Sequence, residues 1–555
     1  MIIYQVFTRL FGNHCLHPVH DGTLLQNGCG KMADFTLKAL EDIRSLGATH
    51  IWYTGVIEHA TQTDYSDYGI RPDHHAVVKG KAGSPYAIKD YFDIDPDLAT
   101  DVPNRMREFE NLVNRTHKAG LKMIIDFVPN HVARQYQSDA CPEGIQDLGA
   151  GDDQSVMFST HNNFYYLPGQ TLDADFPLDG YDEHPARVSG NDVFSSFVGR
   201  NDWYETVKLN YGIDVFGGRV GHFDTVPSTW TKMRDILLFW AAKGIDGFRC
   251  DMAEMVPVEF WGWAIPQVKE QFPEIIFIAE VYNPAEYRNY VYRGEFDYLY
   301  DKVGLYDTLK AVVRGEWSAQ SITHCWQAVE DIKDHMLNFL ENHDEQRLAS
   351  DFFAGDARKG RPALLVSALM QSQPFMVYFG QELGERGMEE EGFSGRDGRT
   401  TIFDYYPVDT VLRWRNAGKF DGKRLTEEEK DLRNFYQRVL TLKQEDPALN
   451  EGAFFDLMYV NQHLHRQYVF CRKSEKELVL VVANFEDAKC DVDVFIPEDL
   501  VRCWSLPEEI KGKATDLLTG KKTQVDIAAG NVLPIMVEPL SGAVLSIKLP
   551  KKNKK

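Results

Sequence analysis

Three carboxylates, each at the end of a short apolar run, are the residues of this chain whose type and spacing point to chemistry. They are Asp251 in GFRCDMAE (247–254), Glu280 in FIAEVY (277–282) and Asp344 in FLENHD (339–344). Two carboxylates flanking a glycosidic bond suffice for retaining hydrolysis: one attacks the anomeric carbon, the other donates a proton and later recovers it. Arg249 lies two residues before Asp251, so on a strand the two side chains share a face. A guanidinium there keeps the carboxylate ionised and oriented, as a nucleophile needs.

Residues so far apart in sequence meet only if the fold gathers strand ends, which a (β/α)₈ barrel does at one face. The pattern fits. A strand at 2–7 is followed by a helix near 34–46, a strand at 49–53, a helix at 104–119 and the apolar strand LKMIIDFV (121–128). After a long interruption come a helix at 230–242, a strand at 245–250, a helix at 256–271 and a strand at 275–279. Further strands are predicted at 296–300, 335–340 and 374–379, and a helix at 427–443 opens on Thr426 and Glu429 in capping-box spacing. The alternation predicts an α/β fold: a (β/α)₈ TIM barrel with a domain inserted after strand 3 and a C-terminal antiparallel β-sandwich. The expected boundaries are 1–131 and 230–446 for the barrel, 132–229 for an insertion over the mouth, and 447–555 for the sandwich. The insertion is rich in Gly, Asp, Asn and aromatic residues and has no sustained helical period, which marks a functional segment rather than a simple connection.

Composition narrows the class. Hydrophobic residues make up 43% and charged residues 26%, a balance that forms a core. The net charge of −23 disfavours nucleic acid and anionic membranes and suits a neutral substrate. The closing KKNKK reads as a solvated end. Eight scattered cysteines form neither a CxxC pair nor a cluster, so no zinc site or disulfide framework is indicated. Cys250, beside Asp251, reads as a small buried hydrophobe. No secretory signal or membrane-spanning run is evident, and the expected location is cytoplasmic.

Motif by motif, the chain resembles the α-amylase family, glycoside hydrolase family 13. DFVPNH (126–131), GFRCDMAE, FIAEVY and FLENHD are similar to its four conserved regions and occur in the same order, each at a predicted strand end. The resemblance extends over the insertion and the β-rich C-terminus. It implies Asp251 as nucleophile, Glu280 as acid/base and Asp344 as the third carboxylate, which holds sugar hydroxyls and stabilises an oxocarbenium-like transition state. Arg249 would partner Asp251, and His131 and His343 would hydrogen-bond the same sugar. Asp126 would organise the mouth structurally. Tyr86, in GSPYAIKDYFDIDP (83–96), matches the family's aromatic platform, although Ala87 stands where the family has Asp. Phe164, Tyr165, Tyr166, Trp203 and Tyr204 are candidate outer platforms, each also readable as local core.

Two departures qualify the resemblance. The family's calcium site uses the Asn matched by Asn130 and an Asp whose position here, in VKLNYG (207–212), is Lys208. An ammonium there would take the cation's place, so no cofactor is required and no metal is expected at that site, calcium elsewhere being left open. The Lys-His pair that grips sugars on the leaving-group side is replaced by Glu254 and Met255. The expected activity is a retaining α-glucosidic hydrolysis of α-glucans or maltooligosaccharides, chiefly at α-1,4 links. The alternatives are 4-α-glucanotransferase or transglycosylase action, cyclomaltodextrinase- or neopullulanase-type activity, and a non-catalytic carbohydrate-binding protein on the same barrel. Hydrolysis and transfer share the covalent intermediate and differ only in what accepts the sugar. Oligomeric state is not legible.

Overall fold

The computed structural model describes residues 1–550; the KKNKK tail lies outside the described residues. Eight parallel strands close a barrel in chain order. They are β1 (Ile2–Phe7), β2 (His50–Thr54), β3 (Lys122–Phe127), β4 (Gly247–Cys250), β5 (Ile276–Ala279), β6 (Tyr298–Tyr300), β7 (Met336–Phe339) and β8 (Phe375–Tyr378), with β8 pairing back onto β1. Strands covered on both faces read as continuous apolar runs, and all six residues of β1 are buried.

The helices form the outer ring: α1 (Leu37–Ser45), α2 (Arg105–Lys118), α3 (Ser228–Ala241), α4 (Val258–Gln271), α5 (Tyr287–Tyr292), α6 (Asp307–Val313), α7 (Gly360–Leu369) and α8 (Glu427–Glu445). Their ends have local causes. Thr36 caps α1 by accepting the Ala39 N–H at 3.2 Å, and Gly47, at φ 107°, takes the turn that follows. The expected capping box of α8 is present: Thr426 Oγ1 accepts the Glu429 N–H at 3.2 Å, and Glu429 Oε2 accepts the Thr426 N–H at 2.8 Å. The apolar face of α8 is continuous except at one place. Tyr436 joins Leu432, Val439 and Leu440 in the core, while Phe435 is half-buried with the Arg361 guanidinium 5.3 Å from its ring centre.

Between β3 and α3 the chain has only strands of two or three residues. The strand His131–Ala133 pairs antiparallel with Thr206–Lys208, which ties the insertion to the barrel rim. A small core of its own gathers Tyr165, Leu167, Leu172, Val188 and Val198. After α8 the chain becomes antiparallel β: β9 (Ala453–Asp456), β10 (Gln467–Lys473), β11 (Glu477–Asn484), β12 (Cys490–Phe495), β13 (Glu509–Asp516), β14 (Lys522–Ala528), β15 (Val532–Val537) and β16 (Ser541–Lys548). One sheet runs β9-β10-β11-β16-β13-β14, and β12 pairs with β15. All eight cysteines are free thiols, and no described helix is long and apolar enough to cross a membrane.

Candidate active site

The sheet ladder itself sets the carboxylates at the rim. Beyond the ends of β4 and β5, the Asp251 N–H donates to Phe127 O at 2.9 Å and the Glu280 N–H to Cys250 O at 3.2 Å. Asp344 is placed differently: the side chain of Asn342 accepts the N–H groups of Asp344 and Glu345, both at 2.9 Å, in an Asx turn that aims Asp344 at the mouth.

Arg249, fully buried, joins the parts. Its Nη1 donates to Asp251 Oδ1 at 2.8 Å and to Asp126 Oδ1 at 3.2 Å, its Nη2 to Glu280 Oε2 at 2.8 Å, and its Nε to the Tyr300 hydroxyl at 3.2 Å. Asp126 also accepts the Trp52 indole N–H at 2.9 Å. Glu280 Oε2 receives a further bond from the Met252 N–H at 2.7 Å, and its Oε1 takes the Tyr282 hydroxyl at 2.5 Å. Met252 reaches this position in the left-handed region, at φ 43°, a strained conformation for a residue with a side chain.

Burial pushes Asp251 well above the usual carboxylate range, and the charges of Glu280 and Asp344 add to that while Arg249 opposes it. Asp344, with 31% of its side chain exposed, is raised by its low-dielectric surroundings and by the Glu280 charge. Burial also raises Asp126, to about 6. Asp251, Asp344 and Asp126 therefore keep their protons to higher pH than free carboxyls do, the Arg249 charge working against this at each.

Both histidines are buried and neutral. His343 Nδ1 lies 2.8 Å from Gln5 Nε2, and its Nε2 faces the Tyr86 hydroxyl at 2.5 Å and Asp344 Oδ2 at 3.1 Å. Burial, then the Arg249 charge, holds the His343 imidazole well below its ordinary value. His131 Nδ1 lies 3.1 Å from Asn130 Nδ2, and burial lowers its pKa to about 3. Tyr86 is buried, with its ring stacked on His343 at a centroid distance of 5.1 Å.

Tyr86, His131, Asp251, Glu280 and Asp344 line one cavity of ≈ 850 Å³, while Arg249 and His343 are not part of its wall. Of the insertion's aromatic residues, Trp203 and Tyr204 reach its wall, and the Trp203 ring lies 5.1 Å from that of His131. Phe164, Tyr165 and Tyr166 do not: they are core residues. Glu254 and Met255 are also absent from the wall. Glu254 Oε2 instead accepts the Asn283 N–H at 3.0 Å, so the departure seen in sequence does not face the cavity. Met252, Tyr282, Lys302 and Val303 do line it.

Sequence reasoning missed Trp52, Tyr300 and Tyr282. Tyr282 carried a usable signal, the same two-residue spacing from Glu280 that linked Arg249 to Asp251. Trp52 and Tyr300 come from strands with no chemical motif, and only barrel closure brings them to Arg249.

Lys208 Nζ lies 2.5 Å from Asn130 Oδ1 and 2.7 Å from Asp192 Oδ1, while Asn130 Nδ2 donates to Gly190 O at 2.8 Å. Asn130 Oδ1 thus faces the Lys208 ammonium and its amide a main-chain carbonyl.

The model of the α-amylase catalytic domain matches residues 21–452. The chain belongs to the α-amylase family. It is 23% identical over 499 residues to α-amylase 2 of Dictyoglomus thermophilum, covering 88% of this chain and 69% of that protein. It is 22% identical over 547 residues to neopullulanase 2 of Thermoactinomyces vulgaris, covering 93% and 75%. Among solved structures, an α-amylase of Geobacillus thermoleovorans complexed with acarbose aligns over 100% of this chain and 98% of that one, with a TM-score of 0.63 and 19% identity. The family model and the barrel agree on an α-amylase-like glycosidase.

Proposed function

We propose that this α-amylase-family protein is a retaining glycosidase that cleaves α-1,4 links in α-glucans or maltooligosaccharides. The observation that carries the reading is Arg249, which binds Asp251 and Glu280 at once, both of them lining the ≈ 850 Å³ cavity that Asp344 also borders. Asp251 attacks the anomeric carbon as the glycosidic C–O bond breaks, and the departing oxygen takes the Glu280 proton. Water then gives a proton to Glu280 while its oxygen displaces the Asp251 carboxylate. Asp344 holds hydroxyls of the distorted sugar, Tyr86 and His131 bind the same ring, and His343, behind the wall, holds the Tyr86 hydroxyl. The neutral His131 imidazole suits its task, since it contacts the sugar without competing for the carboxylates.

Digestion of starch, maltoheptaose, cyclodextrin and pullulan, with products resolved by size and anomeric form, tests this. The α-anomer should appear first, and Asp251→Asn should lose turnover by roughly 10⁴-fold or more while remaining folded. First release of the β-anomer, or a wild-type rate in Asp251→Asn, would sink the assignment. Products longer than the substrate would assign a transferase instead, and the neopullulanase-like sequence makes cyclodextrin and pullulan necessary substrates in the panel.

We also propose that the Lys208 ammonium replaces calcium beside Asn130, and that the chemistry needs no metal there. What supports this is the pairing of Lys208 with both Asn130 and Asp192.

A further inference from the structure

The two oxygens of Glu280 are held in different ways. Oε2 is pinned by Arg249 Nη2 at 2.8 Å and by the Met252 N–H at 2.7 Å. Neither donor can turn aside: Arg249 is fully buried and bonded on to Asp126, Asp251 and Tyr300, and the Met252 N–H is a main-chain group. Oε1 has a single donor, the Tyr282 hydroxyl at 2.5 Å, which can rotate about its C–O bond. Tyr282 and Glu280 both line the cavity, so a leaving group entering there meets the pair.

We propose that Oε1 is the oxygen through which the catalytic proton passes, and that Tyr282 is a positioning residue that gates it. The proposal rests on Glu280 being the acid/base. In the first half-reaction the Oε1–H bond breaks toward the glycosidic oxygen, and the Tyr282 hydroxyl turns to donate to the carboxylate left behind. In the second, water delivers its proton to Oε1 and the Tyr282 hydroxyl turns away. Arg249 and Met252 keep Oε2 occupied throughout, so the carboxyl plane does not have to move. A hydroxyl hydrogen bond favours the ionised carboxylate. The other titratable or charged groups facing Glu280 are Arg249 and Asp251 from the β4 end, Asp126 from β3, Tyr300 from β6 and Asp344 after β7. All of them remain in a Tyr282 variant.

The test is the pH dependence of kcat/KM for wild type and Tyr282→Phe on a maltooligosaccharide and on α-maltosyl fluoride, whose leaving group needs no proton. With the oligosaccharide, loss of the donor should move the alkaline limb up by about one pH unit. No such displacement should appear with the fluoride. Tyr282→Leu, which also lacks the hydroxyl, should reproduce the shift. An unmoved limb, or an equal displacement with both substrates, would overturn the proposal. Glu280→Gln separates this failure from failure of the functional reading: it should cost the oligosaccharide at least about a hundredfold more kcat/KM than the fluoride. Equal losses on the two substrates would overturn the assignment of Glu280, and the Tyr282 proposal with it.

Discussion

Arg249 has four partners and no exposure, and a lysine could not take its place: an ammonium lacks the planar fork that reaches Asp126, Asp251 and Glu280 together. Around it, neutral histidines have a measurable signature. His131 titrates near 3 because burial, and then the Lys208 charge, disfavours its imidazolium. In the unfolded chain the same imidazole takes its proton near pH 6.5. Between those values the unfolded state binds the extra proton, so the contribution of this residue to stability is complete above pH 6.5 and declines as pH falls toward 3. His131→Gln should therefore flatten the fall of Tm over that interval relative to wild type, by up to about 1.4 kcal/mol per pH unit. Thermal denaturation in pH steps measures it; parallel slopes for the two proteins would contradict the assignment.

At the scale of elements, the barrel strands and helices were readable because their patterns are local. A buried strand is an apolar run, an outer helix carries a 3.6-residue stripe, and the Thr426–Glu429 box marks the start of α8. The insertion was not readable, because its strands are too short for any period and are held by tertiary contacts. The strand Thr206–Lys208 exists by pairing with His131–Ala133, and that pairing carries Lys208 to Asn130. The buried ammonium is thus a clasp between insertion and rim. Lys208→Ala should cost roughly 2–3 kcal/mol, seen as a lower Tm, because it strands Asn130 Oδ1 and Asp192. A calcium chelator should leave the wild-type Tm where it is. A chelator-sensitive Tm, with calcium refined at Asn130 in crystals grown with the ion, would overturn the replacement.

The whole molecule depends on a helix that faces two ways. In α7 every residue except Arg361 is buried, which one barrel face does not require. The helix lies against α8 on one side and β11 and β16 of the sandwich on the other. Its last carbonyls are taken by buried cations, Ala368 O by Lys443 Nζ at 2.8 Å and Leu369 O by Arg472 Nη1 at 3.0 Å, in keeping with the negative end of a helix. Arg472 belongs to β10. A chain ending at Gly452 would uncover the apolar side of α7 and leave Leu369 O without its donor. Such a truncation should collect in the insoluble fraction or bind a hydrophobic dye strongly; a monodisperse, cooperatively unfolding barrel would show that the sandwich is dispensable.

By itself the sequence determined the reaction class and the barrel. Asp251, Glu280, Asp344 and Arg249 announce themselves by residue type at the ends of apolar strands, and those are local signals. Tertiary structure alone decided what lies around them. It put Trp52 and Tyr300 on Arg249, removed Phe164, Tyr165, Tyr166, Glu254 and Met255 from the cavity wall, set Trp203 beside His131, and placed the Tyr282 hydroxyl on Glu280. The physical reason is the same in each case. A strand end can be recognised from its own residues, but which side chains meet across a closed barrel depends on register and loop course, which no local pattern encodes.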